Sequence, residues 1–547
     1  MRTTTLAASL ILALGAALAG SDAAACTNFL VTKGASADGS TMITYAADSH
    51  EFYGELVLRP AGIHQPGTMR EIYEWDTGKF LGRIAQAPVT YSLVGNMNEH
   101  QVTIGETTYG GREELAGPAG IVDYGSLMFI ALERAKTARE AIQVIGRVLD
   151  EYGYASTGES FSISDPNEAW IMDLIGKGKD AKGAVWVARR VPDGYISGHA
   201  NQPRIRQFPL NDPANCLYAK DVISFARDKG WFTGRDEEFS FADTYAPLDF
   251  GALRFCESRV WCAFRRAAPS ADLPADLIDG SQAERRLPLW IKPDRRLSVA
   301  DVMRLMRDHF EDTPLDMRND VGAGPFKLPY RWRPMTWKVD DETYVHERAT
   351  STQQTGFSFV AQSRSWLPDP IGGVFWFGVD DTYSTVYVPM YCGITEAPKS
   401  YAAGAATFSK FSWDSAWWVF NFVANWAYSR YSDMIVDIQV VQNELEGKFL
   451  AEQPEIDKAA LKLLDTGEVL ARQFLTEYSD KQGELTVARW RKLGEFLIWK
   501  YLDGNVRDAI GGVTHPTYLD DWYRKIVQER GEEIKVKPLP GEPAPTH

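Results

Sequence analysis

The sequence predicts an α+β fold followed by an added helical C-terminal region. Short strand-like runs punctuated by Gly, Pro and Asn fill residues 27–105 and 160–199, with an amphipathic helix between them. After about Gly404 the pattern changes to long helical periodicities. The 547 residues, 45% hydrophobic and 12% aromatic, suffice for sizeable cores and exceed one ordinary domain.

The elements follow in order. Arg2, an apolar run over residues 6–18 and Ala23-Ala24-Ala25 form the charged region, core and small-residue cleavage site of an export signal. The run is too short to span a bilayer, which takes about 20 residues. Residues 27–33 read as a strand, Ala37-Asp38-Gly39-Ser40 as a turn and 41–45 as the returning strand; 55–59, 88–94 and 101–105 are further short strands. Residues 126–152 read as one helix, with Leu127, Ile130, Ala131, Ala135, Ile142, Ile145, Val148 and Leu149 on one face. A β block follows at 160–164, 169–174, 184–191 and 195–199. Its Gly176-Lys177-Gly178-Lys179-Asp180 segment is a hairpin turn that lacks the spacing of a phosphate loop. Residues 298–310 form a helix opened by the capping box Ser298-Val299-Ala300-Asp301. Residues 372–379 and 383–389 pair as strands around Asp380-Asp381. Long helices cover 415–446, 455–478 and 486–501, with Trp413, Trp417, Trp418 and Trp426 packing on the β core. The expected division is a leader at 1–25, a main unit at 26–404, a helical region at 405–534 and a flexible tail at 535–547.

A net charge of −15 disfavours nucleic acid and anionic membranes as partners, and beyond the leader nothing is apolar enough for stable membrane insertion. The five cysteines (Cys26, Cys216, Cys256, Cys262, Cys392) leave at least one thiol unpaired; the pairing of the other four stays open. There is no CxxC or HExxH, and the eight histidines are scattered, so neither metal nor cofactor is expected.

A cut after Ala25 makes Cys26 the first residue and places a thiol beside a free α-amine. Their reference pKa values, about 8.5 and 7.7–8.0, let the amine act as the thiol's own base. Such a site also needs an acceptor for the new ammonium, oxyanion donors and a nearby cation. Asp48, Asn201 and Arg259 are the candidates; each also admits a structural role as a turn cap, a loop holder or a partner of a surface carboxylate. A rival processing would acylate Cys26 as in a bacterial lipoprotein and leave a lipid-anchored binding protein. Ala23, with Ser21 and Asp22 before it, fits that signal poorly.

Over nearly the whole stretch after the leader the chain resembles the cysteine dipeptidases of the N-terminal-nucleophile (Ntn) hydrolase superfamily, relatives of the secernins. Cys26-Thr27-Asn28-Phe29-Leu30-Val31, Asp38-Gly39-Ser40, Asn98-Glu99-His100-Gln101-Val102-Thr103-Ile104-Gly105-Glu106-Thr107 and Leu132-Glu133-Arg134-Ala135 carry the resemblance. Ala169-Trp170-Ile171-Met172-Asp173, His199-Ala200-Asn201, Val360-Ala361-Gln362-Ser363-Arg364-Ser365, Leu367-Pro368-Asp369 and Trp376-Phe377-Gly378 extend it. It implies an αββα four-layer sandwich with 26–404 as the catalytic domain, and an exported, periplasmic or extracellular dipeptidase acting on small peptides. Cys26 would be the nucleophile, Asp48 the carboxylate near its ammonium, Asn201 an oxyanion donor and Arg259 the cation beside the thiolate. Thr107 and Thr108 would supply a second oxyanion contact and, with Tyr45, line the substrate site. Tyr45 stands where many relatives carry an arginine. The bile-salt and penicillin V hydrolases of the same superfamily make an acylase on non-peptide amides the alternative. A homo-oligomer is compatible with all of this.

Overall fold

The computed structural model describes residues 26–49, 51–117, 119–279, 285–332 and 334–541. The expected leader (1–25) and the last six residues of the tail lie outside them.

The chain opens with β1 (Asn28–Val31) and β2 (Thr41–Asp48) and then crosses to a second sheet. There it forms β3 (Leu58–Arg59), β4 (Leu93–Val94), β5 (Met97–Asn98) and β6 (Thr103–Tyr109). Helices α1 (Tyr124–Leu132) and α2 (Ala138–Tyr152) precede β7 (Gly158–Ser164), β8 (Ala169–Gly176) and β9 (Ala184–Arg190) of the same sheet. β10 (Ile196–His199) returns to the first sheet, β11 (Cys216–Tyr218) edges the second, and α3 (Ser258–Ala267) follows. Then come β12 (Trp290–Ile291), α4 (Val299–Met306), β13 (Thr355–Ser363), β14 (Gly373–Val379) and β15 (Val388–Tyr391). Three helices, α5 (Ala416–Tyr428), α6 (Tyr431–Thr466) and α7 (Glu468–Lys500), complete the core.

The first sheet runs β12-β10-β1-β2-β13-β14-β15 and the second β11-β9-β8-β7-β6-β5-β4-β3. Strands β1 and β2 face β6, β7 and β8. On β7 the alternation decides what each face meets. Phe161 and Ile163 join the apolar cluster under α1 and α2, whereas Ser160 and Ser162 bond Asp173 and His199. The second sheet therefore gives its apolar face to helices and a polar face towards the first sheet. Gly105 on β6 permits close approach there. A Cβ at this position would lie 2.7 Å from the Asn28 side-chain amide and 3.2 Å from Thr44 O. Gly105→Ala is expected to cost about 1–3 kcal/mol by forcing the sheets apart, measurable by urea denaturation.

Several local expectations change under tertiary contacts. The helix expected over 126–152 is two helices, because buried Asn98 donates to the carbonyls of Leu132 and Ala135 (both 2.7 Å) and Thr137 caps α2. The helix expected to reach 310 stops at Met306, and Asp308 takes the Phe310 amide (2.7 Å). The strand expected at 383–389 begins only at Val388. Before it, the Asp381 carbonyl accepts from the amides of Ser384 and Thr385 and turns the chain.

The long helices break at Arg430 and Gly467 instead of near 450 and 482. Pro454 is carried inside α6, where Asp457 one turn later is gripped by Arg364 and Tyr391. Gly483 is kept inside α7 because Pro398 packs where its Cβ would be. α5, α6 and α7 cover β14 and β15, closing that sheet edge. Their Phe420, Ile438 and Leu497 belong to the same apolar core as Phe29, Ile43 and Phe359. All five cysteines, Cys256 and Cys262 included, are free thiols.

Asp380, at the turn after β14, is fully buried with a left-handed backbone (φ 65°). Asn421 donates to its Oδ1, but its Oδ2 has no donor, and burial pushes the carboxyl up to about 8. Because the folded value lies above the unfolded one, the stability linked to this group is intact below 3.8 and falls as pH rises towards 8. Asp380→Asn keeps the Asn421 bond and suits the left-handed backbone. The variant should therefore gain stability over wild type as pH rises from 5 to 8, read by denaturation at both pH values. A pH-independent difference would show that Asp380 titrates normally.

Candidate active site

Antiparallel pairing gathers one end of the first sheet. Cys26 precedes β1, where Thr27 bridges Ala46 of β2 and Asn28 pairs with His199 at the end of β10. Thr355, opening β13, pairs with Asp48 at the end of β2. Cys26, Asp48, Asn201 and Thr355 thus share one sheet end, under Glu106, Thr107 and Thr108 of β6. The Asn28 side chain fastens the layers: in the amide orientation that satisfies both atoms, it accepts from Glu106 N (3.0 Å) and donates to Glu106 O (3.1 Å).

Arg259 lies in the first turn of α3, directly after the π-helical stretch Ala252–Glu257. Such wide turns re-aim side chains and recur at functional sites. Its buried guanidinium donates to Cys26 O (2.6 Å), Thr27 Oγ1 (2.8 Å) and Asn201 Oδ1 (2.8 Å), while Nε donates to Phe255 O. Arg259 therefore holds the Cys26 main chain and Asn201 together. Burial, with repulsion from Arg348, lowers it to about 10, so it stays charged at neutral pH. Asn201 takes a left-handed backbone (φ 57°) and donates from Nδ2 to Thr108 O (2.7 Å).

Asp48 is also fully buried. Arg348 donates to its Oδ2 (2.6 Å) and Thr355 to its Oδ1 (2.7 Å). Burial raises its carboxyl despite Arg348.

The Cys26 sulfur itself is buried, 3.7 Å from the Tyr45 hydroxyl and 3.5 Å from Glu106 Oε1; Tyr45 also donates to that oxygen. Burial, then the charges of Glu106 and Asp48, push this thiol well above its ordinary value. With the Cys26 nitrogen still in a peptide bond, the thiol has no base of its own and stays protonated.

The expected residues do not all take their expected contacts. Cys26, Asp48, Asn201, Arg259 and Tyr45 come together. Arg259 grips the Cys26 carbonyl rather than the sulfur. Thr107 and Thr108 lie on the facing strand, with hydroxyls engaged by His199 Nδ1 (2.7 Å) and Glu159 Oε1 (2.8 Å). His199 is neutral, since burial and two neighbouring arginines lower it to about 3; its other nitrogen bonds Ser162. Glu106, Glu159, Arg348 and Thr355 were not among the candidates. Glu106 stood inside a quoted motif, whereas Arg348 carries no local signal. Among the described residues no group of three or more His, Cys, Asp or Glu side chains could hold a metal. No described helix is long and apolar enough to cross a membrane.

The family model for peptidase family C69 matches residues 25–444, starting one residue before Cys26. The chain belongs to peptidase family C69. Among its relatives, a probable dipeptidase of Latilactobacillus sakei is 25% identical over 428 residues, covering 74% of this chain and 82% of the relative. A probable dipeptidase of Salmonella dublin is 26% identical over 391 residues (68% and 81%). Dipeptidase A of Lactobacillus helveticus is 24% identical over 450 residues (78% and 84%). As a C69 peptidase, the chain keeps its sheet-end cluster within the matched region.

Proposed function

We propose that this C69 peptidase is an exported cysteine dipeptidase of the Ntn-hydrolase type, built as an αββα sandwich and released by cleavage after Ala25. The observation that carries the reading is the buried thiol at the head of β1, whose carbonyl is held by the same Arg259 that holds Asn201. The family match starting at residue 25 and the relatives' names support it.

Cleavage frees the Cys26 amine. The amine takes the thiol proton, and the thiolate attacks the peptide carbonyl. Asn201 and an amide of the Thr107–Thr108 segment stabilise the oxyanion. Collapse breaks the C–N bond, and the ammonium returns its proton to the leaving amine. Water, deprotonated by the same amine, opens the thioester and restores the thiol. Before cleavage no free amine takes the thiol proton, and the precursor is silent.

The test is the intact mass and N-terminal sequence of protein exported by its own signal, with a dipeptide hydrolysis assay on the same sample. A free Cys26 start with turnover is expected. Turnover by protein that starts at Met1, or that carries an acyl group on Cys26, would sink the mechanism.

A further inference from the structure

The nucleophile faces two buried carboxyls that have no cation among the described residues. Glu106 and Glu159, neighbours across β6 and β7, are both at least 99% buried. Glu106 Oε1 accepts from Tyr45 and Glu159 Oε1 from Thr108, whereas the Oε2 atoms of both are buried with no protein donor. Burial raises both carboxyls, and the neighbouring Glu106 raises Glu159 further. Among the described residues no Lys, Arg or His forms an ion pair with either; the titratable neighbours Asp76, Tyr124, Tyr45 and Cys26 are acids. A buried acid pair with unpartnered oxygens offers a seat to a cation from outside the fold.

Position says which cation. In a peptide substrate the α-ammonium of the first residue is two bonds from the carbonyl under attack. With the thiolate at attack distance, that ammonium lies roughly 3–5 Å from Sγ. Glu106 Oε1 is 3.5 Å from Sγ. Glu106 approaches the thiol from the facing sheet, while the Cys26 main-chain carbonyl is taken by Arg259 and Asp48 already has Arg348.

We propose that Glu106, backed by Glu159 and Tyr45, seats the free α-ammonium of the substrate's first residue, so that the site selects unblocked N-termini. The proposal rests on the dipeptidase reading above and deepens it: the acid pair makes the site specific for short peptides with a free amine and rejects N-acyl amides.

The test compares Ala-Ala, N-acetyl-Ala-Ala and propionyl-Ala, the last being Ala-Ala without its amine, on exported wild type and Glu106→Gln. Wild type should favour Ala-Ala over both analogues by ~100-fold or more in kcat/KM, as expected of a site built around a buried polar contact. Glu106→Gln should lose most of its Ala-Ala activity, little on propionyl-Ala, and so most of the ratio. Wild type that cleaves propionyl-Ala as well as Ala-Ala overturns the proposal whether or not the variant folds, and leaves the dipeptidase reading intact. An equal loss on all three substrates in a folded variant also overturns it, assigning Glu106 to the ammonium of Cys26 itself. Wild type that cleaves no peptide overturns both readings.

Discussion

Cys26→Ala, exported and cut after Ala25, should lose at least ~10⁴-fold in dipeptide kcat/KM while its stability stays within about 1 kcal/mol of wild type. The substitution keeps the free α-amine, so a general-base role for the amine alone cannot sustain turnover. The stability expectation follows from the surroundings of the sulfur. It packs against Tyr45 and Glu106, which retain their own hydrogen bond, and the thiol is not the sole partner of either. Assays on the exported protein with denaturation curves separate the two effects. Activity within tenfold of wild type would remove Cys26 from the chemistry.

The second large effect is expected at Arg259. Arg259→Ala leaves Cys26 O, Thr27 Oγ1 and Asn201 Oδ1 without their shared donor in a buried site. Stability should fall by about 3–5 kcal/mol, as when one partner of a buried charged network is removed. In protein that still folds at low temperature, kcat should fall by ~10²–10³ with little change in KM, because Asn201 loses the contact that aims it. Arg259→Lys keeps the charge but presents no planar fork, so it should recover stability better than kcat. A full-rate Arg259→Ala would show that neither Asn201 nor the Cys26 main chain needs this anchor.

Part of this was legible in the chain. The hairpin of β1 and β2, the β7–β9 block and the face of α2 follow from spacings of two or 3.6 residues, which one face against one core is enough to produce. Cys26 could be named because the expected export signal would end just before it. The break between α1 and α2 was not, because the residue that ends α1 is Asn98, on another sheet strand. Nor were the ends of α6 and α7: Pro454 and Gly483 look like interruptions until Asp457 and Pro398 supply contacts that accommodate them. At the site, Asp48 could be named from its strand, but its partner Arg348 lies 300 positions away and Glu106 lies 80 from Cys26. Burial turns these into a site, and a buried acid leaves no periodic trace.

The pairing of β2 with β13 also sets an order of assembly. Asp48 meets Thr355 only after more than three hundred intervening residues have been threaded through the other sheet and back. Contacts of such long range form late and slowly, after local hairpins and helices. A folding chain thus carries the Cys26 thiol through most of folding without the contacts that bury it. The sheet end around Cys26 is completed only once β13 is in place, so under the proposed mechanism early release of the amine would expose an open thiol. On that proposal, closure of the first sheet ahead of cleavage after Ala25 protects the thiol from cross-linking or oxidation, and slow-folding variants in β13 should show trapped Cys26 adducts.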